Sequence, residues 1–163
     1  PNNLMVAVLF WRARVDGLNL LDHEHDGFAG HVSPASAWNC LAEKADAVLV
    51  DVRTQAEWVF VGLPDLTDAA ARLVCMEWQR FPGMGVNPDF AKNIAEEIAN
   101  TTPAIFTLCR SGARSIAAAR ALTQHGFSGC YNVVGGFEGD PDDFGHRGHM
   151  NGWKFDGLPW VQK

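Results

Sequence analysis

The sequence predicts an α/β fold, a central, mainly parallel sheet with helices on both faces, and three observations carry that prediction. Ala47-Val48-Leu49-Val50 and Ala104-Ile105-Phe106-Thr107-Leu108 are short, almost wholly apolar runs, as expected of strands buried on both sides. Stretches with helical spacing alternate with them. A further strand-like run, Cys130 to Val134, stops at Gly135-Gly136.

In chain order, residues 1–30 read as an N-terminal extension contributing one strand or helix. It holds the apolar run Leu4 to Trp11, then Asp22-His23-Glu24-His25-Asp26 and the turn formers Gly27 and Gly30. The regular pattern starts at His31. Ser33 before Pro34 is a helix start, with Ala35, Ala37, Trp38, Leu41 and Ala42 following at helical spacing. The strand at 47–50 ends at Asp51-Val52-Arg53. Leu73 to Trp78 reads as another strand, and Gln79 to Pro88 as a loop rich in Pro and Gly. Phe90 to Ala99 is helical by spacing, and Pro103 separates it from the strand that runs into Cys109. A helix is expected from about Ser115 to His125, with Ile116, Ala119 and Leu122 on one face and Gly126 as its stop. Residues 138–163, rich in Gly, Asp and Trp, are expected as an irregular tail packed over the sheet edge.

Length and charge narrow the function classes. A chain of 163 residues suits one domain with a real core. Its net charge of −6, with no long Lys/Arg block, argues against nucleic acid and anionic membrane as partners, because both need a basic footprint. The Leu4–Trp11 run is too short to span a bilayer, and Arg12 and Arg14 follow it, the wrong order for a signal peptide. A cytoplasmic location is expected. Cys40, Cys75, Cys109 and Cys130 form no CxxC pair, so free thiols are expected rather than a metal site or a disulfide scaffold.

Cys109 stands apart. It follows a buried strand and precedes a short loop that opens a helix. Backbone N–H groups in such a loop can converge on an anion. The positive end of the helix adds to them, and Arg110 and Arg114 bring further positive charge. A thiolate held there is stabilised. Gly112 permits the tight or left-handed turn the loop needs. Asp51 and Arg53 end the strand expected beside that of Cys109, where open α/β sheets bind ligands. Asp51 is expected to pair with Arg53, Arg110 or Arg114 and fix the rim. A strand-end ion pair remote from the sulfur is the alternative for Arg53, and the stronger one for Glu57.

Three segments resemble the rhodanese family: Cys109-Arg110-Ser111-Gly112-Ala113-Arg114-Ser115, Val50-Asp51-Val52-Arg53 with Glu57-Trp58, and Tyr131-Asn132-Val133-Val134-Gly135-Gly136-Phe137. The resemblance spans residues 31–137 as a rhodanese-like domain, and Gly152-Trp153-Lys154 and Gly157-Leu158-Pro159-Trp160 are similar to the tail of bacterial single-domain members. It implies a thiosulfate sulfurtransferase. Cys109 takes sulfane sulfur from a small anionic donor, holds it as a persulfide and passes it to a thiol or cyanide. Arg110, Ser111, Gly112, Ala113 and Arg114 form the substrate loop, supported by Asp51, Arg53 and Ser115, with neither metal nor cofactor. Where the family shows a Gly-His-Ile-Pro-Gly-Ala-like segment, this chain has Val61-Gly62-Leu63-Pro64-Asp65-Leu66, an altered pocket wall.

Competing readings keep their place. A carrier or docking module would receive its sulfur from a protein partner, with residues 1–30 and the tail as interaction surfaces. Cysteine-dependent phosphatases use Cys-x5-Arg, a wider loop than the Cys-x4-Arg of Cys109 and Arg114, so phosphate chemistry is disfavoured. Phe81 and Met84 are either pocket residues or exposed anchors. Cys40 and Cys75 read as packing residues, and Cys130 as a strand residue or a relay thiol. The Asp22–Asp26 stretch could ligate a metal through alternate residues, but no second ligand cluster joins it, so it reads as a solvated loop. His146 and His149 read as surface or tail-packing residues, and Glu138, Asp140, Asp142 and Asp143, lacking the ordered spacing of a calcium loop, as a hydrated turn. Trp38, Trp58, Trp78, Trp153 and Trp160 are expected in the core or beneath the tail.

Overall fold

Val48–Asp51 and Ile105–Leu108 form neighbouring parallel strands at the centre of a six-stranded sheet, and every residue of both is buried. The structure is a computed structural model, and it describes residues 17–22, 27–98 and 103–163. The run Leu4–Trp11 and the side chains of Asp22 to Asp26 lie outside the described residues.

The order of elements is β1 (Leu20–Asp22), β2 (Gly30–Val32), α1 (Pro34–Glu43), β3 (Val48–Asp51), α2 (Gln55–Val61), β4 (Leu63–Pro64), β5 (Arg72–Cys75), β6 (Gln79–Arg80), β7 (Gly85–Val86), α3 (Phe90–Glu97), β8 (Ile105–Leu108), α4 (Ala113–Gln124), β9 (Cys130–Val133) and β10 (Trp160–Val161). The main sheet runs β1-β2-β9-β8-β3-β5. Only β1 is antiparallel to its neighbour; the other pairings are parallel. This is the α/β architecture that the apolar runs predict.

Side-chain alternation along the central strands divides the core in two. Leu49 and Phe106 join Ala37 and Leu41 of α1 and Trp153 of the tail. Val50 and Ile105 join Ile94 of α3 and Ala119 and Leu122 of α4. Each face of the sheet therefore carries helices. Ser33 caps α1 as expected, its side chain accepting from the Ser36 N–H.

Four details differ from the sequence-based expectation. Residues 55–61 form a helix that the pattern did not suggest, started by a capping box in which Thr54 and Glu57 bond each other's backbone N–H. The strand expected from Leu73 to Trp78 stops at Cys75, where β3, the strand that pairs with it, also ends. The expected loop at Gln79–Pro88 contains the hairpin β6–β7, whose tight turn holds a cis Phe81–Pro82 bond. The tail gains order because β10 pairs with β4, which leaves Trp160 42% exposed while Trp153 is fully buried.

Candidate active site

β8 delivers Cys109 to the carboxyl end of the sheet, next to the end of β3, where Asp51 stands opposite Leu108. The side chain is buried, with 1% exposed. Its Sγ accepts the Gly112 N–H at 3.1 Å, and the Ser115 hydroxyl lies 3.2 Å away. Gly112 is the N-cap of α4 and has a left-handed backbone, φ 112°, a conformation that side chains with Cβ resist. That twist turns its N–H back onto the sulfur. Arg110 is exposed and Ala113 opens the helix at the surface, while Ser111 is half-buried and Ser115 fully buried.

The loop leans on the segment after β9. Phe137 donates its N–H to the Cys109 carbonyl at 2.8 Å, and Glu138 donates to that of Arg110 at 3.0 Å. Gly136 makes this approach possible: a Cβ there would stand 2.7 Å from the Arg110 carbonyl carbon. The Gly135-Gly136 pair thus serves as a backstop to the cysteine loop, beyond its expected role of ending a strand.

The two loop arginines differ. Arg114 is tied to Glu57, Nη1 to Oε2 at 2.8 Å and Nη2 to Oε1 at 2.7 Å. Burial works to raise the Glu57 pKa, but hydrogen bonds from Arg114 and Thr54 outweigh it and hold the carboxyl at about 2. The reading of Glu57 as a remote strand-end residue is thereby corrected: the N-terminus of α2 lies against the loop. Arg110 is exposed and opens onto a cleft of about 500 Å³ lined by Thr54, Glu57, Phe81, Met84 and Arg114 as well.

Of the three arginines considered for Asp51, Arg53 is its partner. The guanidinium reaches Asp51 Oδ2 at 2.6 Å, donates to the Gly62 carbonyl at 2.8 Å and stands 4.1 Å over the Phe137 ring. Both residues are fully buried. This pair joins the end of β3 to the Gly62 carbonyl just before β4 and to the Phe137 ring behind the cysteine loop.

The other thiols lie elsewhere. Cys130 pairs with Ile105 at the opposite end of β8 from Cys109. Burial pushes both Cys130 and Cys75 up to about 12, and Cys40 is raised by burial as well. In the tail, ligand atoms of Asp142, His146 and His149 come within 4.8 Å of one another, a grouping the spacing did not suggest; Asp142 and His149 are hydrogen-bonded at 2.9 Å. A larger apolar cavity of about 630 Å³, bounded by Trp58, Leu63, Leu73 and Val161, includes no residue of the cysteine loop. No helix among the described residues is long and apolar enough to cross a membrane.

Two residues that the sequence did not mark as site residues join the network from neighbouring strands: Asn132 bonds Ser115, and His31 bonds Asn132. Nothing local marks them, because their proximity comes from the order of strands.

Known proteins are similar to this chain in sequence and fold. The rhodanese-like domain family matches residues 33–140. The uncharacterized proteins RC0915 of Rickettsia conorii and RP600 of Rickettsia prowazekii are each 38% identical over 131 residues, covering 80% of this chain and 95% of theirs. The crystal structure of Rv0390 from M. tuberculosis superposes with a TM-score of 0.75 at 43% identity, covering 83% of this chain and 99% of that one. The polysulfide-sulfur transferase homodimer of Wolinella succinogenes shares the fold at 21% identity, with a TM-score of 0.53, covering 85% of this chain and 80% of that one. A cysteine at a strand end, its loop and the family match over most of the sheet agree: the chain belongs to the rhodanese-like domain family.

Proposed function

We propose that the protein is a sulfurtransferase that carries sulfane sulfur on Cys109, from a small anionic donor of the thiosulfate type to a thiol or cyanide. The Cys109 thiolate attacks the outer sulfur of thiosulfate. A new S–S bond forms, the donor's S–S bond breaks, and sulfite leaves with the electron pair. The acceptor then attacks the outer sulfur of the Cys109 persulfide, and the Cys109 thiolate returns as leaving group. One transfer is split into two displacements. The Gly112 N–H and the Ser115 hydroxyl supply hydrogen bonds to the anionic sulfur, as donors in an oxyanion hole do for developing charge. Arg110, at the cleft, draws in the anionic donor, while Arg114 is chiefly engaged in holding the loop against Glu57.

The observation that carries this reading is the seat of the Cys109 sulfur, buried at the start of α4 with the Gly112 amide aimed at it. Mass spectrometry after thiosulfate treatment tests it. Cys109 should gain the mass of one sulfur atom, cyanide should remove it, and Cys109→Ser should gain nothing. An unmodified Cys109 under these conditions would sink the proposal.

A second reading, a module loaded by a protein partner, has one observation in its favour. The β6–β7 hairpin presents Phe81, 66% exposed, and Met84 at the edge of the cleft, with Val86 also exposed. Loading of Cys109 only by a partner persulfide, with no thiosulfate turnover, is the result that would favour it.

A further inference from the structure

Ser115 is the pivot of a hydrogen-bond chain that leaves the cysteine loop and crosses two strands. Its hydroxyl lies 3.2 Å from Cys109 Sγ, 3.0 Å from the Gly112 carbonyl and 2.6 Å from Asn132 Oδ1. Asn132 Nδ2 lies 3.0 Å from His31 Nδ1. The register explains the meeting, because His31 of β2 stands beside Asn132 of β9. Ser115 and Asn132 are buried, so water competes little for their polar groups.

A serine hydroxyl has one proton to give. In the arrangement seen, Asn132 turns its oxygen to Ser115 and its amide nitrogen to His31, so the serine proton is directed at the amide and His31 Nδ1 accepts. This suits a neutral thiol. A thiolate gains far more from a donor, since a hydrogen bond to a charged acceptor is roughly twice as strong as a neutral one. Ser115 can turn to the sulfur only if Asn132 stops accepting, because two oxygens 2.6 Å apart with no proton between them repel. Rotating the amide by half a turn exchanges its oxygen and nitrogen at little cost in shape. The chain then runs from His31 Nδ1–H to Asn132 Oδ1, from Asn132 Nδ2–H to Ser115 Oγ, and from Ser115 O–H to sulfur.

We propose that His31 and Asn132 are positioning residues for Cys109 that act through Ser115, and that this chain reverses direction when the sulfur becomes anionic. The inference rests on the persulfide reading for its purpose, since a persulfide anion draws on the same donor. No proton crosses the chain. The thiol proton leaves to water, and His31 changes from its Nε2–H to its Nδ1–H tautomer, with no change in its own charge. Among the described side chains, Arg120 brings charge to that end, over the Phe28 ring whose edge meets His31.

The test is nitrogen-15 NMR of the imidazoles across pH, run beside the pH profile of Cys109 alkylation. The His31 Nδ1 resonance should move from acceptor to donor character in a step whose midpoint matches that of Cys109 alkylation. That step should vanish in Cys109→Ala and in Ser115→Ala, and Ser115→Ala should raise the alkylation midpoint by about one pH unit. A His31 resonance indifferent to the Cys109 midpoint, or the same step persisting in Ser115→Ala, overturns the proposal. Neither readout uses sulfur transfer, so a protein that shows the step and takes no sulfur from thiosulfate overturns only the functional reading.

Discussion

Arg114 donates to both carboxylate oxygens of Glu57, at 2.8 and 2.7 Å, and so ties the first turn of α4 to the first turn of α2. The same carboxylate closes the Thr54 capping box, so one residue orders a helix start and the cysteine loop together. Glu57→Gln leaves one acceptor oxygen for the arginine and should lower thiosulfate:cyanide turnover about tenfold, roughly the loss of one charge-assisted bond. Arg114→Lys should cost about as much, because an ammonium cannot form two parallel bonds. Turnover equal to that of the parent protein in both variants would remove Glu57 and Arg114 from the loop's support.

The same pair gives acid sensitivity with a defined sign. The Glu57 carboxyl is lowered in the folded protein from an ordinary 4.5 to about 2. Its stabilisation is therefore complete above about pH 4.5 and is lost as pH falls from there toward about 2. The full effect is on the order of 3 kcal/mol. Urea midpoints measured at neutral pH and near pH ~3 should converge in Glu57→Gln relative to the parent protein.

Gly136 has no room for a methyl group, with the Arg110 backbone 2.7 Å from where it would sit and a backbone φ of 59°. Gly136→Ala should cost about 1–3 kcal/mol or more. It should also reduce turnover more than stability alone explains, because the clash displaces the loop at Cys109. Full turnover in the folded fraction would show that the loop tolerates the shift.

Asp51 and Arg53 share a fully buried ion pair, and removing one partner leaves an uncompensated charge in the core. Asp51→Asn should destabilise by about 3–5 kcal/mol in urea titration. Unchanged stability and unchanged sulfur transfer together would defeat the view that this pair fixes the rim.

Cys75 and Cys130, held at about 12 by burial, should resist alkylation in the native state at neutral pH. Peptide mapping after iodoacetamide should find label on Cys109 well ahead of either. Cys130→Ala should leave thiosulfate turnover intact; a marked loss would revive a relay role.

Much of the architecture was legible because buried parallel strands write themselves as short apolar runs, here at 47–50 and 104–108. The cysteine loop was legible for a similar reason: its strand, its left-handed glycine and its helix are contiguous in the chain. The start of α2 was not read, although Thr54 and Glu57 stand at capping-box spacing, because the apolar pattern around them is too short to announce a helix. The hairpin at 79–86 was not, because two-residue strands carry no period to read.

Local chemistry in the chain was thus enough to fix a parallel α/β sheet with Cys109 at a strand end and Gly112 in its turn. Only the tertiary structure decided what surrounds that sulfur. Glu57 meets Arg114 across 57 positions and Asn132 meets His31 across 101. Such partners are chosen by which strands lie side by side, and strand order is set by burial of the whole core rather than by any segment's own residues.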